Sequence, residues 1–284
     1  MAEKTFYDEI VECLNIQRKQ LSGVTISEEV LKEFFRDMPR QQTARRQETM
    51  QTIPPAISAP AVHQQTTQYQ TPPPAVHIPP QQEICGASPD EISRMNWDEL
   101  AAAVAACRNC QLCESRLNTV FEDGSRTARL LFFGEGPGAD EDAQGVPFVG
   151  RAGELLTKMI NAMQFSREEV YICNTVKCRP PNNRNPEPAE TEACRAYALR
   201  QIELVKPEVI VVLGAVPLHF LFPRVYGGIK KLRGNWLDYN GIKVMPTYHP
   251  AYLLRDPKAK GEAWKDLQQV MAVFGKKHTP EKRA

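Results

Sequence analysis

A net charge of one sign is the first thing this chain lacks. Its 35 Lys and Arg stand against 34 Asp and Glu, a formal charge of +1 over 284 residues. A globally polyanion-binding surface is thereby excluded, and any contact with nucleic acid has to come from a local basic face. Long apolar runs are also missing, since none approaches the ~18–20 residues that a membrane span needs. Residues 1–8 carry no basic-then-apolar run of a secretory signal. We therefore expect a soluble, intracellular, cytoplasmic protein with no membrane contact. Absent too are the Gly-Lys-Ser/Thr of a P-loop, the glycine spacing of a dinucleotide fingerprint and the second Cys-x-x-Cys of a zinc ribbon.

What is present divides into three parts. Residues 1–38 read as a small helical module, with Phe6, Ile10, Val11 and Leu14, then Val30, Leu31, Phe34 and Phe35, at helical spacing. So short a module is poorly stable alone, and docking onto a protein partner is expected of it. Residues 39–87 are rich in Pro and Gln, including Pro72-Pro73-Pro74 and Pro79-Pro80. They cannot bury a core and read as a disordered linker. Residues 88–284 form the main domain, opening with the helix-start signature Ser88, Pro89 and Glu91. Apolar strands are expected at 129–134, 170–176, 209–214 and 242–246. Helices separate them at 153–165, 188–205 and 216–222, a final helix covers 261–274, and a hairpin turns at Asn240-Gly241. Continuous apolar strands alternating with helices predict an α/β fold, a three-layer α/β/α sandwich whose central sheet has about four mainly parallel strands. Ligands of such sheets sit at the carboxyl ends of the strands. Here those ends carry residues 134–138, Asn174, Gly214 and Tyr248-His249-Pro250.

Eight cysteines need a reason in a reducing compartment, where metal binding or catalysis explains them better than disulfides. Cys107-x-x-Cys110 can grip one metal or cluster, and Cys178 and Cys194 can complete four ligands. Cys113 extends the local pattern and leaves a different choice open. Zinc and iron–sulfur both accept four thiolates, so spacing does not separate them. Cys13, Cys85 and Cys173 read as small buried hydrophobes.

Phe148 sits in a Pro/Gly-rich loop, an uneconomical place for a core aromatic, and suits a planar ligand stacked on its ring. Asn174, inside an apolar strand, needs a partner for its amide and can offer a donor and an acceptor to the edge of a base. His249 precedes Pro250 opposite the glycine-rich turn.

Four ordered blocks resemble the family 4, iron–sulfur-containing uracil-DNA glycosylases, over about residues 96–274. They are Cys107-x-x-Cys110 leading to Thr119-Val120-Phe121; Gly134-Glu135-x-Pro137-Gly138 with Glu141-Asp142 and Gly145-x-Pro147-Phe148-Val149-Gly150; Asn174-x-Val176-Lys177-Cys178-Arg179-Pro180-Pro181; and Tyr248-His249-Pro250-Ala251. The resemblance implies a base-excision-repair hydrolase that flips uracil out of single- or double-stranded DNA and cleaves its N-glycosidic bond, as a monomer associated with the nucleoid. It implies a structural 4Fe–4S cluster on Cys107, Cys110, Cys178 and Cys194, in preference to zinc. It also implies that Phe148 stacks on uracil, Asn174 reads O4 and N3–H, and His249 stabilises the uracil anion at O2. Backbone around Glu135 and Gly136 would hold the other edge of the base. Where the best-known relatives place a water-activating aspartate this chain has Gly136, so Glu135, ahead of Glu141, is expected to position the water. Lys230, Lys231 and Arg233 are expected to grip DNA, with Arg255 wedging into the strand gap. Two competing readings are a covalently DNA-crosslinking relative and a non-catalytic metal-containing nucleic-acid binder. The first calls for a histidine-bearing basic loop between Cys178 and Cys194, and residues 179–193 contain no histidine.

Overall fold

The computed structural model describes residues 87–277. The expected helical module at 1–38 and nearly all of the expected linker lie outside the described residues. In chain order the elements are α1 (Pro89–Ile92), α2 (Trp97–Ala106), α3 (Leu112–Ser115), β1 (Asp123–Gly124), β2 (Leu130–Gly134), α4 (Ala139–Gln144), α5 (Arg151–Ala162), β3 (Tyr171–Asn174) and α6 (Pro188–Val205). After these come β4 (Val209–Leu213), α7 (Ala215–Leu221), α8 (Ile229–Leu232), β5 (Leu237–Tyr239), β6 (Ile242–Thr247), α9 (Pro250–Arg255) and α10 (Lys260–Val273). Both N-terminal helices begin as their sequences ask, Ser88 pairing with Glu91 and Asn96 with Glu99 in reciprocal caps.

The sheet runs β1-β3-β2-β4-β6-β5. Its four central strands are parallel, as expected, and two short antiparallel strands extend it. The β1 edge was not anticipated, because two residues carry no periodicity. The β5–β6 hairpin turns at Asn240 and Gly241, both at positive φ, the conformation for which Asn-Gly is suited. On one face Phe132, Val211 and Met245 pack against α5, α9 and α10 through Leu156, Met159, Leu253 and Trp264. On the other, Phe133, Ile210 and Val212 meet Ala198 and Ile202 of α6 and Leu218 of α7. The helix α6 buries Cys194, Tyr197, Ala198, Gln201, Ile202 and Val205, one stripe at helical spacing. Among the described residues no helix is long and apolar enough to cross a membrane.

The carboxyl end of β6 is tied down by polar contacts. Thr247 Oγ1 donates to Asp266 Oδ2 at 2.7 Å, and Tyr248 donates to Glu262 at 2.8 Å. Arg233 brackets the buried Asp266 with both ends of its guanidinium, Nε lying 2.9 Å from Oδ2. Deleting one member of a buried pair leaves the other uncompensated, a loss of about 3–5 kcal/mol. Asp266→Ala should therefore lower the unfolding free energy by that amount in urea titrations. A loss below about 1 kcal/mol would show that the bracket is not a stabilising pair.

Candidate active site

The cavity at the carboxyl end of the sheet begins with the register of two strands. Gly134, the last residue of β2, lies opposite Asn174, the last of β3. A Cβ at Gly134 would fall 2.2 Å from Asn174 Oδ1 and 2.6 Å from Phe148 Cζ. Glycine is thus required for the amide and the ring to share this corner. The Phe148 backbone is left-handed, at φ 54, a conformation that disfavours bulky residues. Its surroundings hold it there. A Cβ at Gly153, in the first turn of α5, would lie 1.9 Å from the Phe148 carbonyl oxygen, and Arg167 donates to the Pro147 carbonyl at 2.6 Å. Glu141 closes the loop from the other side. Its Oε2 accepts from the Gly138 N–H, and its Oε1 from the N–H groups of Val149 and Gly150, each at 3.0 Å.

The resulting cavity has a volume of about 450 Å³, and Glu135, Phe148, Asn174, His249 and Arg255 all contribute to its wall. The Phe148 and His249 rings lie 5.6 Å apart at 33°. Asn174 is only 1% exposed, and its Oδ1 has no hydrogen-bond partner among the described residues. A buried acceptor left unmatched costs about 1–3 kcal/mol, so the site is built to receive a donor.

His249 caps α9, and its Nδ1 accepts the Ala251 N–H at 3.1 Å. That bond places the ring proton of the neutral imidazole on Nε2. Burial, reinforced by the charge of Arg255, pulls the imidazole down to about 4. The Glu135 carboxyl is pushed above the usual range by burial, against the pull of Arg255. Its carboxylate makes no hydrogen bond among the described residues, in contrast to the fully engaged Glu141. Gly136 contributes backbone alone, packed so that a Cβ would meet Val176 Cγ2 at 2.7 Å.

The basic residues separate. Arg255 is exposed at the cavity. Lys230 and Lys231 are exposed on α8 but do not line it, while Arg233 is held in the Asp266 bracket. The competing claim on Arg233 comes from α10, which no local motif could reveal.

A second, smaller cavity is walled by Cys107, Cys110, Cys113, Cys178 and Cys194. They arrive from the end of α2, the turn into α3, the segment after β3, and α6. Cys173 instead lies buried on the sheet face beneath α6, while Cys13 and Cys85 are outside the described residues. Arg116 donates from Nη1 to Cys178 Sγ at 3.1 Å. Burial pushes the Cys110 thiol up to about 11 and the Cys194 thiol to about 12. Among the described residues no three His, Cys, Asp or Glu side chains are placed to hold a single metal ion. Sequence reasoning assigned nothing to Arg116 or to Lys177, which lies between the two cavities. The signal for Lys177 was its charge between the apolar Val176 and Cys178, directly after an apolar strand.

Comparison with known proteins agrees with this geometry. The family model described as the uracil DNA glycosylase superfamily matches residues 121–268. A type-4 uracil-DNA glycosylase of Thermotoga maritima is 51% identical over 154 residues, which are 54% of this chain and 80% of that protein. Type-4 enzymes of Archaeoglobus fulgidus and Saccharolobus solfataricus are 40% and 42% identical, over 63% and 64% of this chain and 94% and 88% of theirs. With its central parallel strands, its open amide at Asn174 and its neutral His249, this chain belongs to the uracil DNA glycosylase superfamily, in the type-4 family.

Proposed function

We propose that this chain excises uracil from DNA by hydrolysing the N-glycosidic bond of a flipped-out nucleotide. The observation that carries the reading is the unmatched Asn174 Oδ1 in the wall of a cavity that Phe148 and His249 also line. Extruding a base costs a few kcal/mol of stacking, and the Phe148 ring replaces part of it. The Asn174 Oδ1 accepts uracil N3–H while its amide donates to O4. Cytosine reverses both polarities and leaves buried groups unpaired. As the bond to the sugar lengthens, negative charge grows on the base. His249 Nε2–H then donates to O2, a preorganised dipole aimed at charge that develops only in the transition state. Glu135, whose carboxylate makes no hydrogen bond among the described residues, orients the attacking water. Glu141 acts one step removed, because its carboxylate holds the loop that carries Phe148. Arg255 reaches the DNA strand at the cavity mouth, and Lys230 and Lys231 supply a more distant basic patch. Neither the crosslinking relative nor the non-catalytic binder has an observation in its favour.

The sulfurs fit a 4Fe–4S cluster held by Cys107, Cys110, Cys178 and Cys194. The donors are uniformly soft, they wall a single cavity, and two cations, Arg116 and Lys177, stand in that wall. When bound, such a cluster supplies cross-links between segments distant in sequence. Cys113 lines the same cavity and is the alternative ligand.

Release of free uracil from single- and double-stranded uracil-containing DNA is the direct test. Asn174→Ala should lower kcat/KM roughly 10–100-fold, and His249→Ala should lower kcat by about 10²–10³-fold. Full activity and selectivity in Asn174→Ala would refute the recognition model.

The histidine also sets a pH dependence. Its folded-state pKa, near 4, lies below the usual 6.5, so the unfolded chain binds the proton more readily between those values. Its contribution to stability is therefore complete above pH 6.5 and is lost as pH falls toward 4. Histidine NMR titration should place the His249 midpoint near 4. A midpoint near 6.5 would show that the neutral donor is not maintained.

Purified protein should carry iron and acid-labile sulfide and absorb near 400 nm (roughly, as thiolate-bound clusters do). Cys178→Ser should lose most of that iron and Cys113→Ser should keep it. The opposite pattern would reassign the ligand set.

A further inference from the structure

The two cavities are joined by one side chain. Lys177 is 1% exposed, and its ammonium donates to the Asn174 carbonyl oxygen at 2.6 Å. The same residue lines the cysteine cavity. Its backbone is anchored as well, the carbonyl accepting the Val120 N–H at 2.8 Å. The Asn174 carbonyl belongs to the residue whose amide faces the base cavity, at the point where the chain leaves β3. The lysine bond therefore sets the turn that aims that amide.

The electrostatics make the arrangement costly unless negative charge is nearby. A buried ion with inadequate compensation is destabilising by several kcal/mol, and Lys177 makes no ion pair among the described residues. Burial pulls the Lys177 amine below the usual lysine range, and the nearby groups that act the other way are Cys173, Cys194, Glu122 and Cys178. A 4Fe–4S cluster held by four thiolates would bring net negative charge to the cavity that this side chain lines. Arg116, bonded to Cys178 Sγ, adds a second cation to the same wall.

We propose that Lys177 is a positioning residue that couples the cysteine site to base recognition, balancing the charge of the bound cluster while holding the Asn174 carbonyl. The inference rests on the cluster and uracil-reading assignments above and adds that they are mechanically and electrostatically linked.

The test uses the full chain, purified anaerobically, with three readouts: iron content, the cluster's reduction midpoint, and inhibition of excision by free uracil. Lys177→Met removes both charge and bond. Its cluster should be harder to reduce, with a midpoint below wild type, and its inhibition constant for uracil should rise about tenfold. Lys177→Arg restores the charge without the compact single-donor reach. It should return the midpoint to near wild type while leaving uracil binding weak. A Met variant with wild-type midpoint and wild-type uracil inhibition would overturn the proposal. If the Met variant holds no iron, the Arg variant decides: retained iron with weakened uracil inhibition supports the coupling, and lost iron or unchanged inhibition refutes it. Iron-free wild-type protein would sink the cofactor assignment itself, and that result appears before any variant is made.

Discussion

The parallel pairing of β2 with β3 brings Gly134 alongside Asn174, and the missing side chain at Gly134 is the constraint on which the cavity depends. With any Cβ there, the Asn174 amide and the Phe148 ring could not occupy their places. Around this corner the structure stacks successive supports. Glu141 gathers three backbone N–H groups, Gly153 lets α5 press on the Phe148 carbonyl, and Arg167 holds Pro147. The left-handed backbone at Phe148 is therefore held from several directions. Preorganisation of this kind is what a site must have if its dipoles are to act without rearranging during the reaction.

Electrostatics divide the two carboxylates and the imidazole by role. Glu141 accepts three hydrogen bonds and has become part of the scaffold, whereas the Glu135 carboxylate has none among the described residues and is held above its usual range by burial. The neutral His249 is fixed as an Nε2 donor because the Ala251 N–H occupies its Nδ1. A neutral donor suits a leaving group whose charge arises only as the bond breaks, since it gains most of its interaction energy at that point.

Much of this was legible in the sequence, for reasons that can be named. The four parallel strands announced themselves as predominantly apolar runs, and α6 was readable from Pro188 to Val205 because its ends carry strong signals. Asn174 stood out as an amide in an apolar strand, and Phe148 as an aromatic in a loop of Pro and Gly. The short strand β1 was not readable, because two residues have no period. Glu135 could be ranked ahead of Glu141, but the scaffold role of Glu141 could not be read, since it lies in backbone N–H groups eight and nine residues away. Arg233 looked like a member of a surface patch until α10 supplied Asp266 from 33 residues further along. Local pattern identifies which residues are unusual, and tertiary partners decide what each of them does.

The stripe on α6 has a consequence for how the protein matures. Cys194 belongs to the same buried row as Ala198 and Ile202, which seat the helix on the sheet. A slip of one turn would carry its sulfur about 5.4 Å along the axis, out of reach of the partners it meets from α2 and from the segment after β3. The sulfurs can therefore gather only once the helix has docked in its final register. A group held by these sulfurs would then enter late and sample the finished fold, because a chain that has not folded would offer it no complete set of donors.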